Sequence, residues 1–555
     1  MAQKLTVTYP DGTRALKEID LEVPSESVVL ILGRSGSGKS TLGKTIAGII
    51  PHLEKAKVTG TLEVDHIDPR ETPIEDLTEH VAYLAQSPYE QVIFTFAKDE
   101  IELITTIRRS TNIKYVEDLA KMLNIEHIIN RRTNELSGGE LQKLLILCIL
   151  LTGSKIIILD EPLAHLDPAS CREFLKVIKM LKKEKRTVIL IEHRFEELTP
   201  LIDDNVIDLV ILIDNGKKVL ECESSTLINY VDILYKCGIR IPVNIILYRC
   251  LNLRASSFSD VEVFSSIASS IHNFDNVDDV SVDSNIILQV EHLYAGYQRM
   301  LKGFSKSVLW VLKDVSLVVH EGEIVCVAGP NGSGKSTLLL AVIGEVPYTK
   351  GLVKICNVDI RKIRRGIAGL VMYIPQNPDL VLVHETVKKE VEVRARFRAR
   401  SRLELDRIVN SILRELDLID LAHRNPQSLS RGQRFRVAIA AAIAAEPKLL
   451  LLDEPTVGQD QHCIELLGEL VRKYVRENKA GAVIVTHDVN FILNYSDTLA
   501  VMKEGRILKV GKTLDVVRDR DLMLSCNIVL PRYVETMFEF NISARPRTLV
   551  ATVCS

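Results

Sequence analysis

Short apolar runs recur along the chain, each closed by glycine or by a polar side chain. In the first half they span residues 27–32, 156–159 and 187–191; in the second, 324–328, 449–452 and 482–486. Runs this short, rich in Val, Ile and Leu, predict strands buried on both faces. Longer stretches separate them. Residues 42–50, the charged region 97–135, and the runs LQKLLILCILL and RFRVAIAAAIAA predict helices. Residues 1–22 read as strands joined by the turn Pro10-Asp11-Gly12, and 51–75 as short strands and turns. Residues 206–224 and 498–510 read as hairpins, each closing its half.

The glycine-rich stretch after the first run fixes the chemistry. Gly33, Arg34, Ser35, Gly36, Ser37, Gly38, Lys39, Ser40 and Thr41 fit G-x-x-x-x-G-K-[ST] between a strand and a helix. Glycines let backbone N–H groups curl around phosphate oxygens, and the helix start adds partial positive charge. Lys39 is placed for the β- and γ-phosphates of a nucleotide and Ser40 for Mg²⁺. The loop occurs again as Gly329, Pro330, Asn331, Gly332, Ser333, Gly334, Lys335, Ser336 and Thr337. The chain is therefore a duplicated nucleotide-binding protein.

Other polar positions repeat in the same order. Gln86 and Gln376 each follow an apolar strand that runs up to them and precede Ser-Pro or Asn-Pro; from there a Gln can reach Mg²⁺ or an attacking water. Ser137 and Gly139 open one helix, Ser430 and Gly432 another, and each start exposes amides as a second anion nest. Arg431 stands where the first half has a glycine. Asp160 and Asp453 end buried strands at identical spacing from those serines and read as Mg²⁺-side carboxylates. Glu161 and Glu454 come next, placed to take a proton from water. His193 and His487 close the following strands, where a histidine can contact the γ-phosphate. Tyr9 and Tyr297, with Tyr294 as the alternative in the second half, can stack on adenine, worth about 1–3 kcal/mol by analogy with base stacking.

Composition bounds the class. The chain has 555 residues, 46% hydrophobic and 26% charged, with net charge −3, which gives no electrostatic argument for nucleic acid. No apolar run reaches the ~18 residues of a spanning helix, and the first residues show no signal-peptide core, so a cytosolic protein is expected. Ten scattered cysteines without a C-x-x-C pair argue against zinc and iron–sulfur sites. Residues 255–298 lack Lys and Arg and 256–284 are Ser- and Asp-rich, which predicts a flexible, acidic linker, either a tether or a docked segment through Phe258, Phe264 and Ile267. The expected division is a first domain over 1–240, a linker over 241–285, a second domain over 286–520 and a tail over 521–555. The run RARFRARSR at 394–402 is either a solvated helical face or a contact for RNA or an acidic partner.

Phosphate loop, Gln, LSGGE or LSRGQ, Asp-Glu and His, in order in both halves, resemble the ATPases of the ABC superfamily over roughly residues 3–225 and 286–515. The resemblance implies an α/β fold of two tandem P-loop ATPase domains, each with a mixed β core and a helical subdomain, docked head to tail. It places Lys39, Ser40, Gln86, Asp160, Glu161 and His193 opposite Ser430 and Gly432. It places Lys335, Ser336, Gln376, Asp453, Glu454 and His487 opposite Ser137 and Gly139. Both sites keep their glutamate and histidine, so two hydrolytic sites are expected. The segments QSPYEQVIFTFAKDEI and QNPDLVLVHETVKKEV, the fused pair and EPTVGQD are similar to ATPases of energy-coupling-factor importers of vitamins, cobalt or nickel. That likeness implies a separate transmembrane coupling protein and a membrane substrate-binding protein, with this chain peripheral on the cytoplasmic face. The alternative is a soluble ABC ATPase acting on ribosomes or RNA, like ABC-F factors, whose charged helical linker this chain lacks; an exporter ATPase is a third reading. The transported substrate is not encoded here.

Overall fold

The computed structural model describes residues 1–108, 113–164, 166, 168–270, 285–300, 306–362, 369–457, 459, 461–540, 542 and 544–554. The chain forms two compact units, Met1–Val263 and Phe264–Ser555.

In the first unit the apolar runs become a six-stranded sheet. Its order is Val81–Leu84, Ile156–Asp160, Thr187–Glu192, Val28–Leu32, Leu209–Asp214, Lys217–Glu223. The first five strands are parallel and the last pairs antiparallel. Every residue of Val28–Leu32 is buried, as expected of a strand covered on both faces. A three-stranded antiparallel sheet, Arg14–Leu21, Ala2–Thr8 and Lys57–Leu62, packs its apolar face on one side. Helices Ala97–Arg108, Ile113–Met122 and Gly138–Leu151 form the helical part.

The second unit repeats this plan. Its sheet runs Val371–Ile374, Leu449–Asp453, Gly481–Val485, Ile324–Ala328, Thr498–Lys503, Arg506–Lys512. Its antiparallel sheet adds Val358–Asp359 to Lys306–His320, Ile286–Met300 and Tyr348–Ile355. Helices Val387–Ala395, Arg402–Glu415 and Arg431–Ala444 match the helical part of the first unit.

The strand expected to reach Gln86 stops two residues earlier, at Leu84. The Gln91 side chain explains this: it accepts the Ala85 N–H at 2.8 Å and donates to the Tyr83 carbonyl at 3.1 Å, drawing the chain off the sheet. In the second unit Pro375, without an N–H, follows Ile374 and has the same effect.

Where the sequence suggests an acidic linker, residues up to 263 fold back on the first unit. Helix Val243–Cys250 is followed by Phe258, whose ring meets Phe195 edge-on at 5.0 Å. The Asp203 carboxylate accepts the N–H groups of Phe258 and Ser259, both at 3.0 Å. Phe264 and Ile267 are buried on helix Val263–Ser270, and residues 271–284 lie outside the described residues. The tail of the second unit docks in a related way. Helices Arg532–Glu539 and Pro546–Cys554 meet helix Val489–Tyr495 through a Tyr533–Asn490 hydrogen bond and the Arg547 N–H on Asn494 Oδ1 at 2.9 Å. Each unit thus closes by covering the helix that follows its strand-end histidine.

Phe258→Ala should destabilise the first unit by about 3 kcal/mol, the lower end for a buried ring. In urea unfolding followed by exchange at residues of each unit, the first unit's midpoint should fall and the second's stay. Equal shifts in both would contradict this packing.

Candidate active site

The parallel strands of each unit deliver their polar ends to one edge. Leu32 pairs with Glu192, and Asp160 with Ile191, so Gly33, Asp160 and Glu192 leave adjacent strands side by side. The C-terminal edge of a parallel sheet is the usual ligand crevice of open α/β folds.

Sterics require glycine at the first loop position. A Cβ on Gly33 would lie 2.2 Å from the Ile213 carbonyl oxygen, and one on Gly329 would lie 1.9 Å from that of Met502. The loop curls over its lysine. Lys39 Nζ, buried, donates to the Gly33 and Arg34 carbonyls at 2.7 and 2.9 Å. Lys335 Nζ makes the same bonds to Gly329 and Pro330 at 2.8 and 2.9 Å. Ser35, Gly36 and Ser37 form the crown of the first loop before Gly38, the N-cap of helix Lys39–Ile46. Asn331, Gly332 and Ser333 do so before Gly334 and helix Lys335–Val342, whose third residue is Thr337. The hydroxyls of Ser37 and Ser333 are buried without a hydrogen-bond partner. Arg34 points away to Asp214, at 3.0 Å.

In the first unit the sequence-predicted groups converge. Ser40 Oγ donates to Asp160 at 3.1 Å, Gln86 Nε2 donates to Glu161 at 2.6 Å, and His193 Nδ1 faces Glu161 at 3.3 Å. In the second, His487 Nε2 lies 3.0 Å from Glu454, while Gln376 is exposed and Ser336 lies beside Asp453.

The local charges differ between the units. Burial raises the Asp160 carboxyl to about 6, with Glu161 adding to the rise. Burial also opposes ionisation of Glu161, but the facing His193, Lys39 and the Gln86 hydrogen bond outweigh it and hold the group below the usual range. Burial drives Glu454 the other way, upward, with Asp453 adding to the rise against Lys335. The His193 ring is nearly enclosed, whereas the His487 side chain is 24% exposed, so water softens the second pair more.

Ser137 and Ser430 cap helices Gly138–Leu151 and Arg431–Ala444 through reciprocal capping boxes with Glu140 and Gln433. Gly139 lies in the first turn of one helix and Gly432 in that of the other; a Cβ on Gly432 would come 2.8 Å from Gln459 Oε1. The Arg431 side chain, Gly458 and Asp460 lie outside the described residues. Tyr9 reaches the end of its phosphate loop, its hydroxyl 3.3 Å from Thr41 Oγ1. Tyr297 keeps more than a third of its surface exposed, and Tyr294 instead packs edge-on against Trp310.

Sequence reasoning missed the second partner of the strand-end aspartates. Tyr83 donates to Asp160 at 2.7 Å, and Tyr373 to Asp453 at 3.4 Å. Both tyrosines precede the repeated glutamine by the same interval, in YLAQ and YIPQ, and that repeat was the available signal.

A glycine-rich loop wrapped over a lysine, with serine, Asp-Glu and histidine at neighbouring strand ends, defines a P-loop NTPase site, present here twice. The profile of the ABC transporter family matches residues 16–164 and 312–457. The chain belongs to that family and is an ATP-binding ATPase with tandem domains. A Methanosarcina mazei protein, provisionally named an ABC transporter ATP-binding protein, is 33% identical over 97% of this chain and 93% of its own length. One from Saccharolobus solfataricus, provisionally named in the same way, is 31% identical over 92% and 93%. The structure of the archaeal ribosome recycling factor aABCE1, in complex with the ribosomal stalk protein aP1, aligns with 94% of this chain and 92% of that one. Its TM-score is 0.58 at 21% identity, a likeness of fold.

Removing a hydrogen-bond donor from a carboxylate favours its neutral form. Tyr83→Phe should therefore push the Asp160 carboxyl further up, read by carboxylate ¹³C NMR titration of nucleotide-free protein. An unchanged or lowered midpoint would contradict the geometry.

Proposed function

We propose that the chain is the ATPase subunit of an energy-coupling-factor-type importer, driving transport through separate membrane proteins. Each ATP is held between the phosphate loop of one unit and the Ser-Gly helix start of the other. Lys39 with Ser430 and Gly432 serve one nucleotide; Lys335 with Ser137 and Gly139 serve the other. The γ-phosphate charge draws in the second helix N-terminus, so ATP holds the units closed and hydrolysis releases them.

The residues fit Mg²⁺. Asp453 Oδ1 is buried without a hydrogen-bond partner, and the donors are all hard oxygens. Ser40, Asp160 and Gln86 would hold the ion in one site, and Ser336, Asp453 and Gln376 in the other. The bound ion would neutralise charge on the β- and γ-phosphate oxygens. Glu161 and Glu454 accept the proton as water oxygen attacks the γ-phosphorus and the bond to the bridging oxygen breaks. His193 and His487 hold the γ-phosphate. Tyr9 and Tyr297 stack on adenine.

The observation carrying the importer reading is a matched pair of surfaces after the two glutamines. Tyr89 and Ile93 in one unit, and Leu380 and Val383 in the other, are 65, 73, 72 and 75% exposed. Neither loop is loose. The buried Glu100 carboxylate accepts the Ile93 and Phe94 N–H groups at 2.6 and 2.5 Å, and Glu390 accepts those of Val383 and His384 at 2.9 and 2.8 Å. A preformed, exposed apolar surface repeated in both units suits two short helices of one membrane protein. In the basic run, Arg396 and Arg398 pair with Glu392 and Glu446, which reduces its charge for RNA.

Two measurements test this. The chain should fractionate with membranes together with two integral proteins, and Ile93→Asp with Val383→Asp should release it; sedimentation with ribosomes would overturn the importer reading. Glu161→Gln and Glu454→Gln, made separately, should each remove about half or more of the turnover, since a base contributes roughly 10²–10⁴-fold at its own site. If only one of them slows turnover, two hydrolytic sites are excluded.

A further inference from the structure

In the first unit two charged side chains tie the loop after Glu161 to the strand-end histidine. The Glu192 carboxylate, fully buried, accepts three backbone N–H groups. Oε1 takes that of Leu163 at 3.0 Å; Oε2 takes those of His193 and Arg194 at 3.0 and 3.2 Å. The Arg194 guanidinium donates to the Leu163 carbonyl at 2.5 Å and pairs with Glu197 at 2.7 Å. Leu163 is therefore held at both its N–H and its C=O.

The second unit solves the same problem with different atoms. Thr456, Thr486 and Asp488 stand at the positions of Leu163, Glu192 and Arg194. One contact between hydroxyls, Thr456 Oγ1 to Thr486 Oγ1 at 3.0 Å, joins the two loops. Asp488 turns to its own helix and caps the Phe491 N–H at 3.0 Å. The His487 N–H is directed at Glu454 itself, at 3.3 Å. In the first unit Glu192 takes the corresponding N–H, and the Glu161 carboxylate is left to His193 and Gln86.

We propose that Glu192 and Arg194 are positioning residues for ATP hydrolysis in the first unit. They join the post-Glu161 loop to the histidine segment as one piece and so hold the Glu161 carboxylate in place. The inference rests on the reading of Glu161 as the base. A glutamate presents two acceptor oxygens; glutamine presents one, and its amide would confront the remaining N–H donors. Glu192→Gln thus leaves buried backbone donors without acceptors beside the reacting carboxylate.

The test compares variants of the full chain in steady-state ATP hydrolysis, with Glu161→Gln marking the share of turnover that belongs to the first site. Glu192→Gln should remove at least half of that share, with KM for ATP within about twofold of the parent and Tm lower by no more than a few degrees. The pair Leu163→Thr with Glu192→Thr, which installs the second unit's hydroxyl contact, should recover most of what Glu192→Gln loses. It also carries the test should Glu192→Gln fail to fold. Parental turnover in Glu192→Gln, a joint fall of turnover, ATP affinity and Tm, or no recovery in the threonine pair would overturn the proposal. If Glu161→Gln itself kept full turnover, the reading of the site would fail and the clamp with it. If Glu161→Gln slows turnover and Glu192→Gln does not, only the clamp fails.

Discussion

Each unit buries a lysine ammonium against carbonyl oxygens of its own phosphate loop, and the rest of the site follows from that charge. An ammonium removed from water is costly unless it is paired or well hydrogen-bonded. Two loop carbonyls meet part of that cost, and the carboxylates at the next strand end supply the opposite sign. A polyphosphate entering the crevice would meet a buried cation with a helix N-terminus behind it. The glycines permit this, since a Cβ at Gly33 or Gly329 would collide with a neighbouring backbone carbonyl.

The duplicated plan hides a local divergence. Both units place Asp-Glu and histidine at matching strand ends, yet the groups around each pair differ. In the first, a glutamine and a nearly enclosed imidazole hold Glu161 ionised. In the second, the glutamine is exposed, the histidine is partly solvated, and burial opposes the charge of Glu454. A charged clamp joins the loops in one unit and a pair of hydroxyls in the other. An equal inventory of residues therefore does not make the sites equal in rigidity or in charge.

Much of this was legible from the sequence. Strands buried on both faces announce themselves as unbroken apolar runs, and residues at strand ends fall into register because a parallel sheet aligns them. Motif residues tied to backbone geometry, such as Gly33, Lys39, Ser137 and Asp160, were readable for that reason. What escaped were contacts made by side chains whose partners lie far along the chain. Tyr83 and Asp160 are distant in sequence and adjacent in space, as are Glu192 and Leu163. For the stretch around Phe258, composition left a tether and a docked segment equally open, because the groups that receive it lie far back along the chain. The Asp203 carboxylate and the Phe195 ring are among the groups that receive it.

The central claim is that each nucleotide is completed by the opposite unit. The most direct measurement is a structure of the Glu161→Gln, Glu454→Gln chain with ATP and Mg²⁺ bound. The account predicts Ser137 Oγ and the Gly139 N–H within hydrogen-bond reach of the γ-phosphate carried by Lys335, and Ser430 with Gly432 on the one carried by Lys39. Two bound nucleotides with either helix start facing solvent would contradict it.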